Sequence, residues 1–323
     1  MTEIEIRDPA PEPAPEPATE GSRIVPLVVV PALIGMVLVA LVAFFSTLTG
    51  KEDSPRENLD QLLHGGANER EQATFGLARQ LLDFRVARAE GRAPEWDIDA
   101  SLLGDVRNAL SEIDARGAPE DLDRRFVLAG LMAELGDPDG IAHLAEIAAT
   151  TSPADPGGEI RIQAVLALGN LAGEHGEAER ELAARTLIGL LTDADDGLVL
   201  AASAGLQRLP GPETLAALGV LLDRPRLEQR VTAALSLAAL GSKAGVPVLT
   251  EALAFEPYEL ERAGDPKKWQ APTVHESRRK ALRALIDLGA APGEAELARL
   301  AEEDPDPEMR SAARAALRGA DGG

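Results

Sequence analysis

Cysteine is absent from the chain. Disulfides, thiolate nucleophiles and thiolate metal sites are therefore excluded, while either redox compartment fits. Aromatic side chains are scarce, at 3% of 323 residues, so a core has to be built from Ala, Leu, Ile and Val. Side chains that small let helices approach closely, which suits stacked helical pairs. Basic residues are outnumbered, 32 against 54 acidic, for a net charge of −22. A duplex-binding protein needs clustered Lys and Arg to displace counterions, so nucleic acid is not an expected partner. Alternating strand patterning is missing over any useful length. A phosphate-binding glycine loop, a Gly-x-Ser-x-Gly elbow and a dinucleotide glycine pattern are missing too. Asp193-Ala-Asp-Asp-Gly197 looks superficially like a calcium loop but lacks the ligand spacing and the distant glutamate; it reads as a turn plus a helix cap. No catalytic residue, cofactor or metal is expected.

The N-terminus is what the chain has in excess. Residues 1–23 hold six acidic residues against Arg7 and Arg23, around an alternating Pro-Ala-Pro-Glu core. Repeated proline removes amide donors and favours an extended, solvated leader. Ile24 to Gly50 then carries no charge, and Leu27 to Phe45 is its most apolar part. A bilayer core is crossed by about 20 apolar helical residues, so a transmembrane helix is expected over 24–49, through which the chain would meet the lipid bilayer. A cleaved signal peptide is the rival reading. The apolar run is too long for one and the preceding tail is acidic rather than basic. Counting Arg23 and Arg7 against Lys51 and Arg56, the positive-inside rule leans toward a single-pass protein of the inner (plasma) membrane with its C-terminal part cytoplasmic. Residues 50–67 read as a short linker and first helix. Ser54-Pro-Arg-Glu57 is a capping box with proline at the first helical position. Asn68 and Glu71 are the expected caps of the next helix.

From residue 68 to 320 one frame recurs. In Gln229–Gly241, Arg230 is followed by Ala233, Leu237 and Leu240, then by the helix stop Gly241. Steps of three and four place these residues on one helical stripe. Arg125/Leu128/Met132/Leu135, Arg161/Ala164/Leu168/Leu171 and Arg278/Ala281/Leu285/Leu288 repeat it. Arg310/Ala313/Leu317/Ala320 is weaker and Arg70/Ala73/Leu77/Leu81 ragged, while Val199/Ala202/Leu206/Leu209 lacks the arginine. Anchors at 125, 161, 199, 230, 278 and 310 are spaced by 36, 38, 31, 48 and 32 residues, mostly the length of two helices with their turns. The intervening first helices are expected near 100–116, 140–149, 177–191, 213–222, 244–255 and 294–302. Removing the leader's −4 from −22 leaves −18 for the remainder.

This frame, with Asp in the turn, Arg early in the second helix, then Ala, Ala-Leu and Leu-Gly, resembles a HEAT repeat, and most closely the short subtype named after phycobilisome lyases. Arg125, Arg161, Arg230, Arg278 and Arg310 match the subtype's arginine; Asp121 or Asp123 and Asp306 match its turn aspartate. Val199 departs from the pattern, which implies an arginine–aspartate ladder interrupted there. The resemblance implies an all-α fold, a right-handed α-solenoid of HEAT-like helical pairs, here preceded by the one transmembrane helix expected from the apolar run, with a concave face of second helices and the insert at 256–273 holding a partner protein. Such repeats serve many functions. The alternative class it implies is an enzyme or assembly factor, bilin lyase-like or resembling the metal-dependent HEAT hydroxylases. The hydroxylases use several facing His-Glu pairs, whereas this chain has one, His275-Glu276, and Thr273-Val-His-Glu276 reads more simply as a capping box.

The 48-residue step contains an insert, 256–273, with the only Tyr of the chain, one of its two Trp and its only Lys-Lys pair. Long insertions in arrays are often functional, and Trp and Tyr anchor interfaces. Tyr258, Lys267, Lys268 and Trp269 are thus the candidate protein-binding residues, against the plainer alternative that the two aromatics fold back over the core. The expected function is a membrane-anchored protein-binding scaffold or accessory subunit of a membrane-associated complex.

Overall fold

A computed structural model describes residues 53–320, with 97 and 99 excepted. The leader and the expected transmembrane segment over 24–49 lie outside the described residues. Among the described residues no helix is long and apolar enough to cross a membrane.

The described residues are all helical, with fifteen α-helices, three short 3-10 turns and no strand. In order, the helices are α1 (Pro55–His64), α2 (Ala67–Glu90), α3 (Ala100–Arg116), α4 (Leu122–Glu134), α5 (Pro138–Ala149) and α6 (Glu159–Leu171). Then come α7 (Glu177–Leu190), α8 (Asp196–Leu206), α9 (Pro212–Leu221), α10 (Leu227–Ala239), α11 (Val246–Glu251) and α12 (Glu256–Gly264). The chain closes with α13 (Ala271–Asp287), α14 (Glu294–Glu303) and α15 (Pro307–Ala320). The frame falls on α2, α4, α6, α8, α10, α13 and α15, the second helices. From α4 onward each second helix packs on the next, while α5, α7 and α9 pack in a parallel row of first helices. This two-row stack fits an α-solenoid, in which no single hairpin can bury its own apolar stripe. The stripe residues are buried along the chain: Ala73, Leu77, Leu128, Met132, Ala164, Leu168, Ala202, Leu206, Ala233, Leu237, Ala281 and Leu285 among them. The core forms three successive clusters, as expected of a quasi-one-dimensional array.

The Leu-Gly signature has a backbone cause. After α10, Gly241 takes φ 76°; its N–H donates to Ala238 O and that of Ser242 to Leu237 O, both at 2.9 Å. This 5→2 and 6→1 pair closes the helix with its left-handed residue at glycine. The same closure recurs at Gly136 and Gly289. At the N-termini, Ser54 and Glu57 form the expected capping box on α1. Two expected caps are not formed. α2 begins at Ala67, and the Glu69 carboxylate, not Asn68 or Glu71, accepts from the Gly66 N–H at 2.7 Å. α13 begins at Ala271 behind Gln270, with Pro272 in its first turn, so Thr273 lies inside the helix; Glu276 instead accepts from Lys280 at 2.6 Å.

Two arginines of the frame, Arg161 and Arg278, tie one turn to the next, whereas Arg125 pairs with Asp114 and Glu146, Arg230 pairs with Glu251, and Arg310 donates to the Asp304 and Pro305 carbonyls. Arg161 donates to Ala148 O at the end of α5 and to Asp193 in the turn before α8. Arg278, 1% exposed, donates to Leu253 O and with both terminal nitrogens to Asp304. The Asp-x-Asp turns at 193–195 and 304–306 use both carboxylates. Asp193 and Asp304 take the arginine and the N–H two residues on. Asp195 and Asp306 cap the next helix. At Val199 the frame has no arginine, and Arg224 of the following turn donates at 3.5 Å to Leu191 O, a carbonyl and not a turn aspartate. Asp196 also binds Gln229 at 2.9 Å and pairs with Arg226.

Candidate protein-binding surface

The insert begins as α12, passes through a turn and ends in the first turn of α13. Tyr258 is 1% exposed and its hydroxyl donates to Ala252 O at 2.9 Å, with Ser277 Oγ at 3.0 Å. Burial pushes the Tyr258 phenol pKa up, against the Ser277 hydrogen bond and nearby Arg278. The Tyr258 and Trp269 rings meet edge to face, centroids 4.7 Å apart at 78°, a favoured aromatic geometry. Trp269 has φ 52°, a strained conformation for a bulky residue that persists only where its surroundings fix it. Here the ring stack fixes it, together with the bond from Nε1 to Glu261 at 2.8 Å. The other Glu261 oxygen accepts from the Leu227 N–H, which starts α10 behind a residue, Arg226, that offers no side-chain cap. The insert thus clamps the start of α10 by a carboxylate 34 positions away. The two aromatics come together and face inward. Lys267 is exposed, Lys268 half-buried, and Lys268 lines a shallow recess with Arg226, Glu261 and Asp265. Leu260 on α12, 77% exposed, is the apolar side chain that this insert presents outward.

Two grooves run along the second helices. The first lies between α2 and α4 and measures about 270 Å³, with Leu77, Leu81, Leu82, Phe126 and Val127 in its walls and the Arg85–Glu134 pair at its rim. Beside it α2 exposes Phe75 and Leu82, at 68% and 62%, along with Val86. The second crosses α8, α10, α13 and α15 and measures about 940 Å³. Alanines and Leu235 floor it, and Arg279, Lys280 and Arg283 stand in its wall together with Asp287 and Glu308. Neither surface was evident from the frame. The seven- and four-residue steps of Phe75, Leu82 and Val86 were visible in the sequence, but only packing tells that this stripe faces out while Ala73, Leu77 and Leu81 face in.

The histidines are spread out. His64 meets Asp60 at 3.0 Å and His175 meets Ala133 O at 2.9 Å; His143 lies 3.8 Å from Asp114. His275 packs on Phe255 and sits 3.8 Å from Asp306. Among the described residues no three His, Asp or Glu side chains converge as a metal-binding group. Burial works to raise the Asp306 carboxyl pKa, but the Glu308 N–H and the Arg279 guanidinium outweigh it and hold the group below its usual range. Asp137 behaves alike: burial is opposed and overcome by Arg107 and the Asp139 N–H. These perturbed groups belong to caps and ladders of the fold.

No protein-family model matches the chain, and no curated protein matches it.

Proposed function

We propose that the chain is a HEAT-like α-solenoid, anchored in the inner (plasma) membrane by 24–49, that binds a partner protein along its second helices as a scaffold or accessory subunit of a membrane-associated complex. The cytoplasmic side is the orientation favoured by the flanking basic residues. The observation that supports the reading is the pair of open grooves on one row of helices, with exposed Phe75 and Leu82 beside the first. Exposed large apolar side chains grouped in this way mark interaction surfaces, and grooves between helices suit a docked helix. The perturbed carboxylates are consumed in structure, which supports binding over a reaction.

The test is co-purification of the full-length chain in mild detergent with mass spectrometry, repeated with Phe75→Ser and Leu82→Ser. Both residues are exposed, so the substitutions leave the core intact. Partners recovered with the parent and lost from the variant support the reading; a chain that recovers no partner under any extraction overturns it. Orientation is read by single cysteines at Ser22 and Lys51 and an impermeant thiol reagent, since Ser54 is needed as the α1 cap.

A further inference from the structure

We infer that the groove across α8, α10, α13 and α15 receives an acidic amphipathic helix of a partner protein. The inference rests on the protein-binding reading above and names the chemistry of the partner. Charge carries it. In a chain of net −22, α13 sets Arg278, Arg279, Lys280 and Arg283 against Glu276 and Asp287, and α15 sets Arg310, Arg314 and Arg318 against Glu308. Of the fifteen described helices, these two alone have a net positive charge. They are neighbours in the stack; α13 lines this groove with Arg279, Lys280, Arg283 and Asp287, and α15 with Glu308 and Ala312. The wall that α13 gives this groove carries three cations and one carboxylate, the reverse of the acidic excess of the chain as a whole.

The cations there divide into fixed and available ones. Arg278 is buried and consumed by Asp304. Arg279 is held by the buried Asp306 at 2.8 Å. Lys280 and Arg283 are exposed, and among the described residues their close carboxylates are Glu276 and Asp287 one turn away on the same helix, both also exposed. Such surface pairs contribute little, so incoming carboxylates can replace them at small cost. The floor between them is Leu235, Ala239, Ala284 and Ala312, small apolar side chains that admit the apolar face of a helix close to the backbone. A groove of about 940 Å³ with an alanine floor and a cationic wall fits a helix with apolar residues on one face and carboxylates on its flank. A recess suits a flat anionic lipid surface poorly, and the −18 of the surrounding array opposes a nucleic acid.

The test measures fluorescence anisotropy of labelled peptides against the full-length chain in zwitterionic nanodiscs. The probes are a designed helix with a Leu/Ala face and glutamate flanks, the same helix with lysine flanks, and a peptide of residues 1–23. The expected result is that the glutamate helix binds and weakens about tenfold with Lys280→Glu plus Arg283→Glu. It also weakens as salt rises, because rim charges act through screened attraction. Arg185→Glu, an exposed change on α7, leaves binding unaltered. Equal binding of the lysine helix, or an unchanged affinity after the charge reversal, overturns the inference. So does equal binding of the 1–23 peptide, which would make the chain's own leader the occupant. Capture by phosphatidylserine vesicles that is lost on charge reversal, with no peptide bound, assigns the groove to lipid instead. Co-purifying partners indifferent to the charge reversal overturn the acidic-helix assignment while leaving the protein-binding reading in place.

Discussion

Gly169 on α6 and Gly205 on α8 meet backbone to backbone, and a Cβ built on Gly169 would lie 2.4 Å from Gly205 Cα. Two successive second helices therefore touch where neither has a side chain, and the scarcity of bulky residues in the core becomes a spacing rule for the stack. Gly169→Ala is expected to destabilise by about 1–3 kcal/mol, the usual cost of overpacking. Gly104→Ala in α3 meets nothing within 4 Å and is expected to stabilise by about 0.4–1 kcal/mol through the unfolded chain. Urea unfolding of both variants checks the contrast; equal effects would remove the close-contact argument.

Arg278 joins three parts of the array, since it donates to Leu253 O and Asp304 and lies over the Phe255 ring at 3.8 Å. Removing one partner of a buried pair leaves an uncompensated charge and typically costs about 3–5 kcal/mol. Arg278→Ala is expected to fall in that range by equilibrium denaturation. Adding Asp304→Asn should cost less than the sum of the two single changes, because the pair acts as a unit. Strict additivity would contradict the ladder.

For the insert, Trp269→Ala is expected to destabilise by about 3–5 kcal/mol, as large aromatic truncations in cores do. Amide exchange should then rise at the start of α10, which depends on Glu261 for the Leu227 N–H. Lys267→Glu with Lys268→Glu is expected to leave melting unchanged, so this pair is the clean probe of the insert's surface in co-purification. A stable Trp269→Ala protein would mean that the ring stack holds nothing.

Acid should loosen the array at its turns. Asp137 and Asp306 have folded-state pKa values held below the unfolded one, against burial, by guanidinium and backbone donors. In Asp193 the largest cause is the Asp195 N–H, opposed by burial and aided by Arg161. A carboxylate with a depressed folded pKa stabilises fully above the unfolded value, about 3.9, and loses that contribution as pH falls through the lower folded value. Melting temperature should therefore hold from neutrality to about pH 4 and decline below it. Asp306→Asn should show a smaller decline over the same window; an identical slope would exclude Asp306 as a contributor.

The second helices were legible from the sequence because their signal is local. A stripe at three- and four-residue steps, a capping side chain two or three residues away and a glycine that accepts positive φ all act within one turn, so Arg230 to Gly241 announces its helix without any neighbour. Leu237→Asp follows from the sequence alone and is expected to unfold its local repeats, visible as lost helical circular dichroism. What the sequence could not supply were partners chosen across the stack. Asp306 matched the expected turn aspartate, yet it takes Arg279 and caps α15, while Asp304 holds Arg278, because the turn before α15 aims both carboxylates back at α13. Val199 suggested a broken ladder, and there Arg224, from a turn with no motif of its own, donates to the Leu191 carbonyl and not to a turn aspartate. Tyr258 and Trp269 drew notice for their rarity, but their inward stack depends on where α12 lies against α10 and α13. The frame, the caps and the net charge were thus settled by the order of residues, since each depends on neighbours along the chain. Which cations stay free at the α13 groove and which apolar stripe of α2 faces solvent were decided only in three dimensions, because both depend on contacts between helices far apart in sequence.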